Sequence, residues 1–314
     1  MFQLIIRRIL IMIPVLFLVS LMVFSLVLLV PGDPAVTLAG ENATEEQIAE
    51  TRTRLGLDDP VIEQYWRWVS NAMQGDLGTS LFSSQEVTDA ITQRMPATLS
   101  LAFGAIMVSL LIGLPAGILS ALFRGRWVDR FLGLGAASAL AMPNYFVAML
   151  LILFFAIWNP IFPATSFVPF SEDPWQWVNH LILPWITLGL ASAAVITRQL
   201  RSSLIGVLGQ DYVRTARAKG MRGRTVVLKH ASKNAAIPVV TVLGTQIAFA
   251  LGGSVIVESV FGIAGVGQLA ISSVQKRDLP VIQGIVVMTT LLVLFCNLLV
   301  DLAYGYLNPK VRVQ

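Results

Sequence analysis

Histidine, cysteine and lysine are the residue types in this chain that could carry metal, nucleophilic or nucleotide chemistry. His180 and His230 are separated by the apolar run 181–197, so they cannot share a metal site if that run crosses a membrane. Cys296 is the single cysteine and lies inside another apolar run, where a thiol behaves as a small buried side chain. None of the five lysines is followed by Ser or Thr, which excludes a Walker-type phosphate-binding loop. These residues predict neither an enzyme nor a chain that binds ATP, metal or another cofactor itself.

A basic segment offers a different kind of function, which is contact with another molecule. The run 211–220, DYVRTARAKG, is predicted to form a short helix, with Asp211 as its N-cap and Gly220 as its C-terminal cap. Ala216 and Gly220 are four residues apart and define a small-residue face that another surface can approach. Arg214, Arg217 and Lys219 surround that face. A basic segment lying on anionic lipid headgroups is the alternative.

Six apolar stretches must position this segment. Hydrocarbon is crossed by about 20 consecutive apolar residues in a helix, and none of the six contains Asp, Glu, Lys or Arg. The chain is therefore predicted to be an all-α membrane protein with six transmembrane helices. The stretches are Ile9–Val30, Leu99–Phe123, Phe131–Ile157, Leu181–Thr197, Ile237–Val257 and Pro280–Val300.

The basic residues predict which side of the membrane each connection occupies. One set of connections, with the two chain ends, carries sixteen Lys or Arg, and the other set carries six. Because basic loops are retained in the cytoplasm, both termini and the basic segment 198–236 are predicted to be cytoplasmic. The predicted domains are the helix 1–30, an extracytoplasmic loop domain 31–98, a five-helix core 99–308 and a tail 309–314.

The extracytoplasmic loop domain carries eleven acidic and four basic residues. Thr44 and Gln47 predict a helix start with a capping box, and Pro60 predicts the start of a second helix that contains Tyr65, Trp66 and Trp68. The loop is either a solvated face or a surface on which an extracytoplasmic partner lands.

Carboxylates at membrane depth would indicate an ion-coupled carrier, but the apolar stretches contain none. Glu258 follows the fifth stretch, where we expect water to reach it. It is the candidate for contact with a solute in a translocation path, where it would attract an amino group; a structural role is the alternative. A carrier that holds sodium with backbone carbonyls remains a second class of function.

Several motifs resemble one protein family along nearly the whole chain. The run Tyr212–Gly220, with His230, Asn234-Ala235 and Pro238, resembles the coupling loop of ABC importer permeases. Further matches are PGDP at 31–34, LGLDDP at 55–60, GDLGTS at 75–80, ESVF at 258–261, GVG at 265–267 and NP at 308–309. These motifs resemble the peptide, nickel and glutathione permease subfamily, in the subunit type with a long first loop. Arg214-Thr215-Ala216 departs from the general Glu-Ala-Ala pattern as that subfamily does.

The resemblance implies a type I ABC importer fold and the function of a permease subunit in a prokaryotic inner membrane. It implies that a coupling helix contacts an ATPase subunit through Tyr212, Arg214, Thr215, Ala216, Arg217, Ala218, Lys219 and Gly220. The implied partners are a second homologous permease, two ATP-binding subunits that hold ATP and Mg, and an extracytoplasmic substrate-binding protein. A nucleic-acid partner is not expected.

The substrate implied by the resemblance is a dipeptide or oligopeptide. Glutathione and a nickel chelate are the alternatives within the subfamily. Motion of the ATPases would reach the solute path through rigid-body rocking of packed helices. Gly113 and Gly117 are predicted to allow close helix approach in the second stretch.

Overall fold

A computed structural model describes residues 2–29, 34–39, 43–54 and 56–307. Within these ranges the regular secondary structure is helical, with an isolated β-bridge between Thr79 and Glu86 and no strand. The α-helices are α1 Phe2–Leu29, α2 Pro34–Ala39, α3 Glu45–Arg54, α4 Val61–Met73, α5 Val87–Leu122, α6 Trp127–Ala141, α7 Asn144–Ile152, α8 Pro174–Leu208, α9 Asp211–Ala218, α10 Gly223–Thr225, α11 Ser232–Val260, α12 Val266–Lys276 and α13 Leu279–Leu307. Two π-helical segments span Leu153–Trp158 and Val226–Ala231.

Five helices in the described ranges are long and apolar enough to cross a membrane, namely α1, α5, α8, α11 and α13. The remaining predicted span, Phe131–Ile157, corresponds to two helices, α6 and α7. They meet at an angle of 103°. The prediction of one continuous helix over Phe131–Ile157 is therefore wrong. The break is at Pro143, which has no N–H to donate to the preceding turn. Met142 before it has an extended backbone, the conformation that proline favours in its predecessor.

The spans extend beyond their apolar cores. α8 begins at Pro174, seven residues before the predicted start at Leu181, because Asp173 caps it by accepting hydrogen bonds from the backbone N–H groups of Trp175 and Gln176. The same helix continues to Leu208. The predicted coupling loop 198–236 therefore starts as helix, and its basic residues at 198 and 201 lie on α8.

The chain divides into two compact units. The larger contains the described residues of Met1–Ile6, Ala97–Ala264 and Phe295–Gln314, and the smaller contains those of Arg7–Pro96 and Gly265–Leu294. These units follow packing, whereas the predicted domain borders follow membrane crossings and stay predictions. Residues 31–33 and 308–314 lie outside the described residues, as does Leu55. They include most of the PGDP motif, the whole NP motif and the predicted tail.

Close contact between α5 and α8 organises the larger unit. A Cβ atom added to Gly113 would lie 2.9 Å from the carbonyl oxygen of Ala193, and one on Gly117 would lie 2.9 Å from Cβ of Leu200. From the other side, a Cβ atom on Gly189 would lie 2.7 Å from the carbonyl oxygen of Ala105. The predicted close approach at Gly113 and Gly117 is confirmed, and it lets the two backbones touch.

In the smaller unit, residues of the 31–98 segment pack against the first half of α13. Leu77, Val87 and Ile91 form a buried cluster with Val281 and Ile285. Ser80 donates a hydrogen bond of 2.5 Å to the buried carboxylate of Asp278, which also accepts from the N–H of Leu81. The GDLGTS motif is thus held by a partner almost 200 residues later in the chain.

Both helix starts predicted in the 31–98 segment are confirmed. Thr44 and Gln47 exchange side chain to backbone hydrogen bonds of 3.0 and 3.4 Å at the start of α3, which is the expected capping box. Pro60 immediately precedes α4.

Candidate functional site

The predicted short helix of the coupling loop is α9, Asp211–Ala218. Gln210 rather than Asp211 precedes its first turn as the N-cap, so the predicted capping residue is wrong by one position. Asp211 still lies in the first turn, where a carboxylate interacts favourably with the helix dipole. It also forms an exposed ion pair with Arg214 at 3.3 Å.

The predicted C-terminal cap at Gly220 is confirmed. Gly220 has φ +75°, a left-handed backbone that glycine adopts without a Cβ clash. The N–H of Gly220 donates to the carbonyl of Arg217, and the N–H of Met221 donates to that of Ala216. This pattern of two bonds is a Schellman motif, which ends the helix at a defined residue.

The inner face of α9 packs against its own chain. Val213 and Ala216 are buried in a cluster with Val226 of the π-helical segment, and Met221 packs against it. The expectation that Ala216 belongs to an exposed small-residue face is therefore wrong in this structure. Ala216 stands three positions after Val213, on the same side of the helix, and that side covers apolar neighbours.

The outer face of α9 carries the remaining predicted contact residues. Arg214, Thr215, Arg217, Ala218 and Lys219 are all exposed. Ala218 is the small residue on this face, with arginine and lysine side chains around it. Together with Gly220, which is also exposed, they form a basic surface with a small-residue centre. We call this surface, 214–215 with 217–220, the α9 surface.

Two long helices hold α9 in place. Tyr212 is partly exposed, and its hydroxyl accepts a hydrogen bond of 2.9 Å from the amide of Asn234 at the start of α11. On the other side, Val207 and Leu208 of α8 pack against the buried cluster of Val213, Ala216 and Val226. α9 is thus in contact with both α8 and α11.

A partly buried ion pair that the sequence analysis did not identify fastens α6 to α8 in the same unit. Arg201 donates from Nε and Nη2 to the two carboxylate oxygens of Asp129, at 2.6 and 2.8 Å. Asp129 also accepts from the hydroxyl of Ser120 and the N–H of Gly125. The available signal was that Asp129 is the single acidic residue among the three arginines of 124–130.

Glu258, the predicted residue of the solute path, is fully buried. The hydroxyl of Thr98 on α5 donates a hydrogen bond of 2.8 Å to its carboxylate. The carbonyl of Glu258 accepts from the N–H of Ile263 because the chain turns back after α11. The expectation that water reaches this carboxylate is thus wrong here, while its role in the solute path stays a prediction.

Two family models together cover almost the entire chain. The binding-protein-dependent transport system inner membrane component model matches residues 113–313, and the model of its N-terminal membrane component matches residues 1–102. The chain is 44% identical over 317 residues to the glutathione transport system permease protein GsiC of Escherichia coli K12, with 100% of both chains covered. The protein of the same name from Shigella flexneri serotype 5b gives the same identity and coverage.

Solved structures show the same fold at low identity. The MetNI methionine ABC transporter in an inward-facing conformation matches with a TM-score of 0.57 and 18% identity, covering 69% of this chain and 96% of the other. An amino acid ABC transporter crystallised with histidines matches at 0.50 and 19%, covering 70% and 94%. The fold is that of type I ABC importer permeases. The chain is a transport component of the inner membrane rather than an enzyme. It belongs to the binding-protein-dependent transport system inner membrane component family, in its peptide, nickel and glutathione permease subfamily, as the permease subunit of an ABC importer.

Proposed function

We propose that this chain forms part of the translocation pathway for short peptides, with glutathione as the first substrate to test. The observation that carries this proposal is the 44% identity over the full length to permeases named for glutathione transport. Glutathione is itself a short peptide, so the proposal narrows the peptide substrate expected from the motifs. Nothing in the described structure favours a nickel chelate. Membership of the ABC importer permease family excludes the alternative function of an ion-coupled carrier that works alone.

The α9 surface is the proposed contact with the ATPase subunits, through which their motion would reach the permease. It is exposed, basic and bounded by a helix end that a Schellman motif defines. A short helix with its hydrogen bonds satisfied moves as a rigid body, and its inner face is packed on the segment between α8 and α11. Closure of ATPase subunits on this surface would therefore rock both spans.

The proposed complex contains this permease, a second homologous permease, two ATP-binding subunits and an extracytoplasmic binding protein. ATP and Mg belong to the ATP-binding subunits. In this arrangement the α9 surface, the 124–130 loop and both termini face the cytoplasm, and the 31–98 segment faces the other side. The ion pair between Asp129 and Arg201 supports one part of this topology, because it joins the two predicted cytoplasmic connections within one unit.

Uptake measurements test both the substrate and the energy source. A deletion strain and its complemented parent are given labelled glutathione, a dipeptide, a longer peptide and nickel, with and without ATP depletion that preserves ion gradients. We expect loss of glutathione or peptide uptake on deletion, and the same loss on ATP depletion of the complemented strain. Loss of nickel uptake alone would overturn the substrate but not the energy source. Uptake that survives ATP depletion would overturn the proposed coupling.

A further inference from the structure

Helix α4 belongs by sequence to the extracytoplasmic segment, yet it packs alongside the transmembrane helix α1. The Tyr65 hydroxyl is 2.8 Å from the hydroxyl of Ser20. Its ring meets Phe24 edge-on with centroids 5.4 Å apart, and Phe17 at 6.3 Å. All of these residues belong to the smaller unit.

The position of this contact along α1 sets the depth of α4. Ser20 lies eleven residues after Ile9, where the apolar run begins, which is about 16 Å of helix at 1.5 Å per residue. The apolar core of a bilayer is about 30 Å thick. Tyr65 therefore meets α1 within its apolar run and not beyond its end, so α4 lies beside the membrane-spanning part of α1.

The side chains of α4 divide into an apolar and a polar arc. With about 100° between successive residues, Ile62, Met73 and Trp66 stand about 60°, 80° and 100° from Tyr65 on one flank. They are 64%, 84% and 55% exposed. The polar arc follows on the same side with Ser70, Glu63 and Arg67, and Arg67 pairs with Asp59. An exposed apolar stripe thus separates the face that contacts α1 from the face that carries charge.

We propose that this stripe, Ile62, Trp66 and Met73, inserts into the lipid leaflet on the side of the 31–98 segment, so that α4 is an interfacial membrane helix. The apolar stripe would contact acyl chains, and the polar arc would face headgroups and water, as in interfacial helices. Tryptophan is enriched at membrane–water interfaces. On α1, the neighbouring residues Phe17, Leu18 and Leu21 are exposed as well. This inference is independent of the proposed substrate and of the coupling surface.

Spin labels at single cysteines measure the depth directly. The native Cys296 is replaced by serine, and labels are attached in the W66C and M73C variants of the complete transporter in liposomes. S70C is the matched control, because Ser70 is exposed on the polar arc of the same helix. Collision rates are measured with oxygen, which concentrates in lipid, and with chromium oxalate, which stays in water.

We expect the ratio of oxygen to chromium oxalate collisions to be several-fold higher at positions 66 and 73 than at position 70. An I62C variant gives a third stripe position, and elution as an assembled complex shows that each labelled protein has folded. Equal ratios at the stripe and at position 70 would overturn the proposal. Slow collisions with both reagents at the stripe would also overturn it, because they would indicate that a protein partner, such as a binding protein, covers the helix.

Discussion

The carboxylate of Asp129 and the guanidinium of Arg201 form a bidentate ion pair that joins α6 to α8 across 72 residues of sequence. Asp129 is buried, and the Arg201 side chain is 35% exposed. Two further donors, from Ser120 and Gly125, satisfy the same carboxylate. Arg201 lies near the end of α8, which leads into α9, so the pair fastens this end of α8 to α6.

Removing either partner of this pair should destabilise the permease. D129N or R201Q is expected to cost about 1–3 kcal/mol, less than for a fully buried pair because Arg201 is partly exposed to solvent. Since the two residues share one interaction, the D129N/R201Q double variant should lose less than the sum of the two single losses. Thermal unfolding of the purified transporter measures all three. Additive losses would show that the pair does not act as a unit.

The contact between α5 and α8 predicts different changes in stability when two glycines, Gly189 and Gly135, are replaced by alanine. G189A should destabilise the protein by about 1–3 kcal/mol through overpacking, because the new Cβ atom would approach the backbone oxygen of Ala105. G135A in α6 is the matched control, since nothing lies within 4 Å of its Cβ position. This control should be neutral or slightly stabilising, because alanine is the better helix former. Equal melting temperatures for the two variants would contradict the close packing.

A bulky residue at the centre of the α9 surface should disrupt coupling. A218W is expected to weaken binding of the ATP-binding subunits about tenfold or more, which corresponds to about 1.4 kcal/mol. The side chain points away from the Val213 cluster, so the permease itself should fold and insert normally. A218S, which keeps the residue small, is the control and should bind as the wild type does. Co-purification and ATP-dependent uptake provide the readouts, and full activity of A218W would place the ATPase contact elsewhere.

Two substitutions of Gly220 distinguish a need for its left-handed backbone from a need for the empty space beside it. A valine there must adopt the left-handed region, at a cost of about 1–2 kcal/mol, whereas asparagine is tolerated at this helix position. Because no neighbouring atom of the chain lies within 4 Å of the Cβ position, G220V should lose coupled uptake through the distorted helix end. G220N should retain most of it.

Two outcomes would contradict this account of Gly220. If both variants lost uptake equally while remaining inserted, a partner surface must need the space itself. If G220V transported normally, α9 would not be the coupling helix. Uptake is normalised to the amount of permease in the membrane, measured by immunoblot.

Glu258 offers a test between a positioning role and contact with the solute. E258Q keeps an acceptor for the Thr98 hydroxyl but removes the charge. Because the carboxylate is buried, we expect any loss of uptake to be equal for a peptide with a free amino terminus and its acetylated form. A selective loss for the free amine would instead support the predicted contact with the solute. T98V, which removes the buried donor, should lower stability by about 1–3 kcal/mol.

The sequence alone determined the class of the protein and the position of the short helix α9. The free energy of transferring a helix into lipid depends on the composition of that segment alone. Long runs without charged residues could therefore be predicted as membrane spans. The same holds for α9, because a glycine at the end of an alanine-rich helix is a local signal, and Gly220 ends it as expected. The motifs along nearly the whole chain, those at 212–220 and 258–267 among them, identified the subfamily.

Tertiary structure alone decided which side chains face inward and which distant residues meet. Ala216 and Ala218 are the same residue type in the same short helix. Ala216 is the buried one because it packs in a cluster with Val226. Glu258 follows an apolar stretch, but Thr98 and the turn after α11 enclose it. The bond of Arg201 to Asp129 and the position of α4 along α1 join segments far apart in sequence. Such contacts depend on the packing geometry of whole helices, which no local pattern of hydropathy, charge or helix propensity contains.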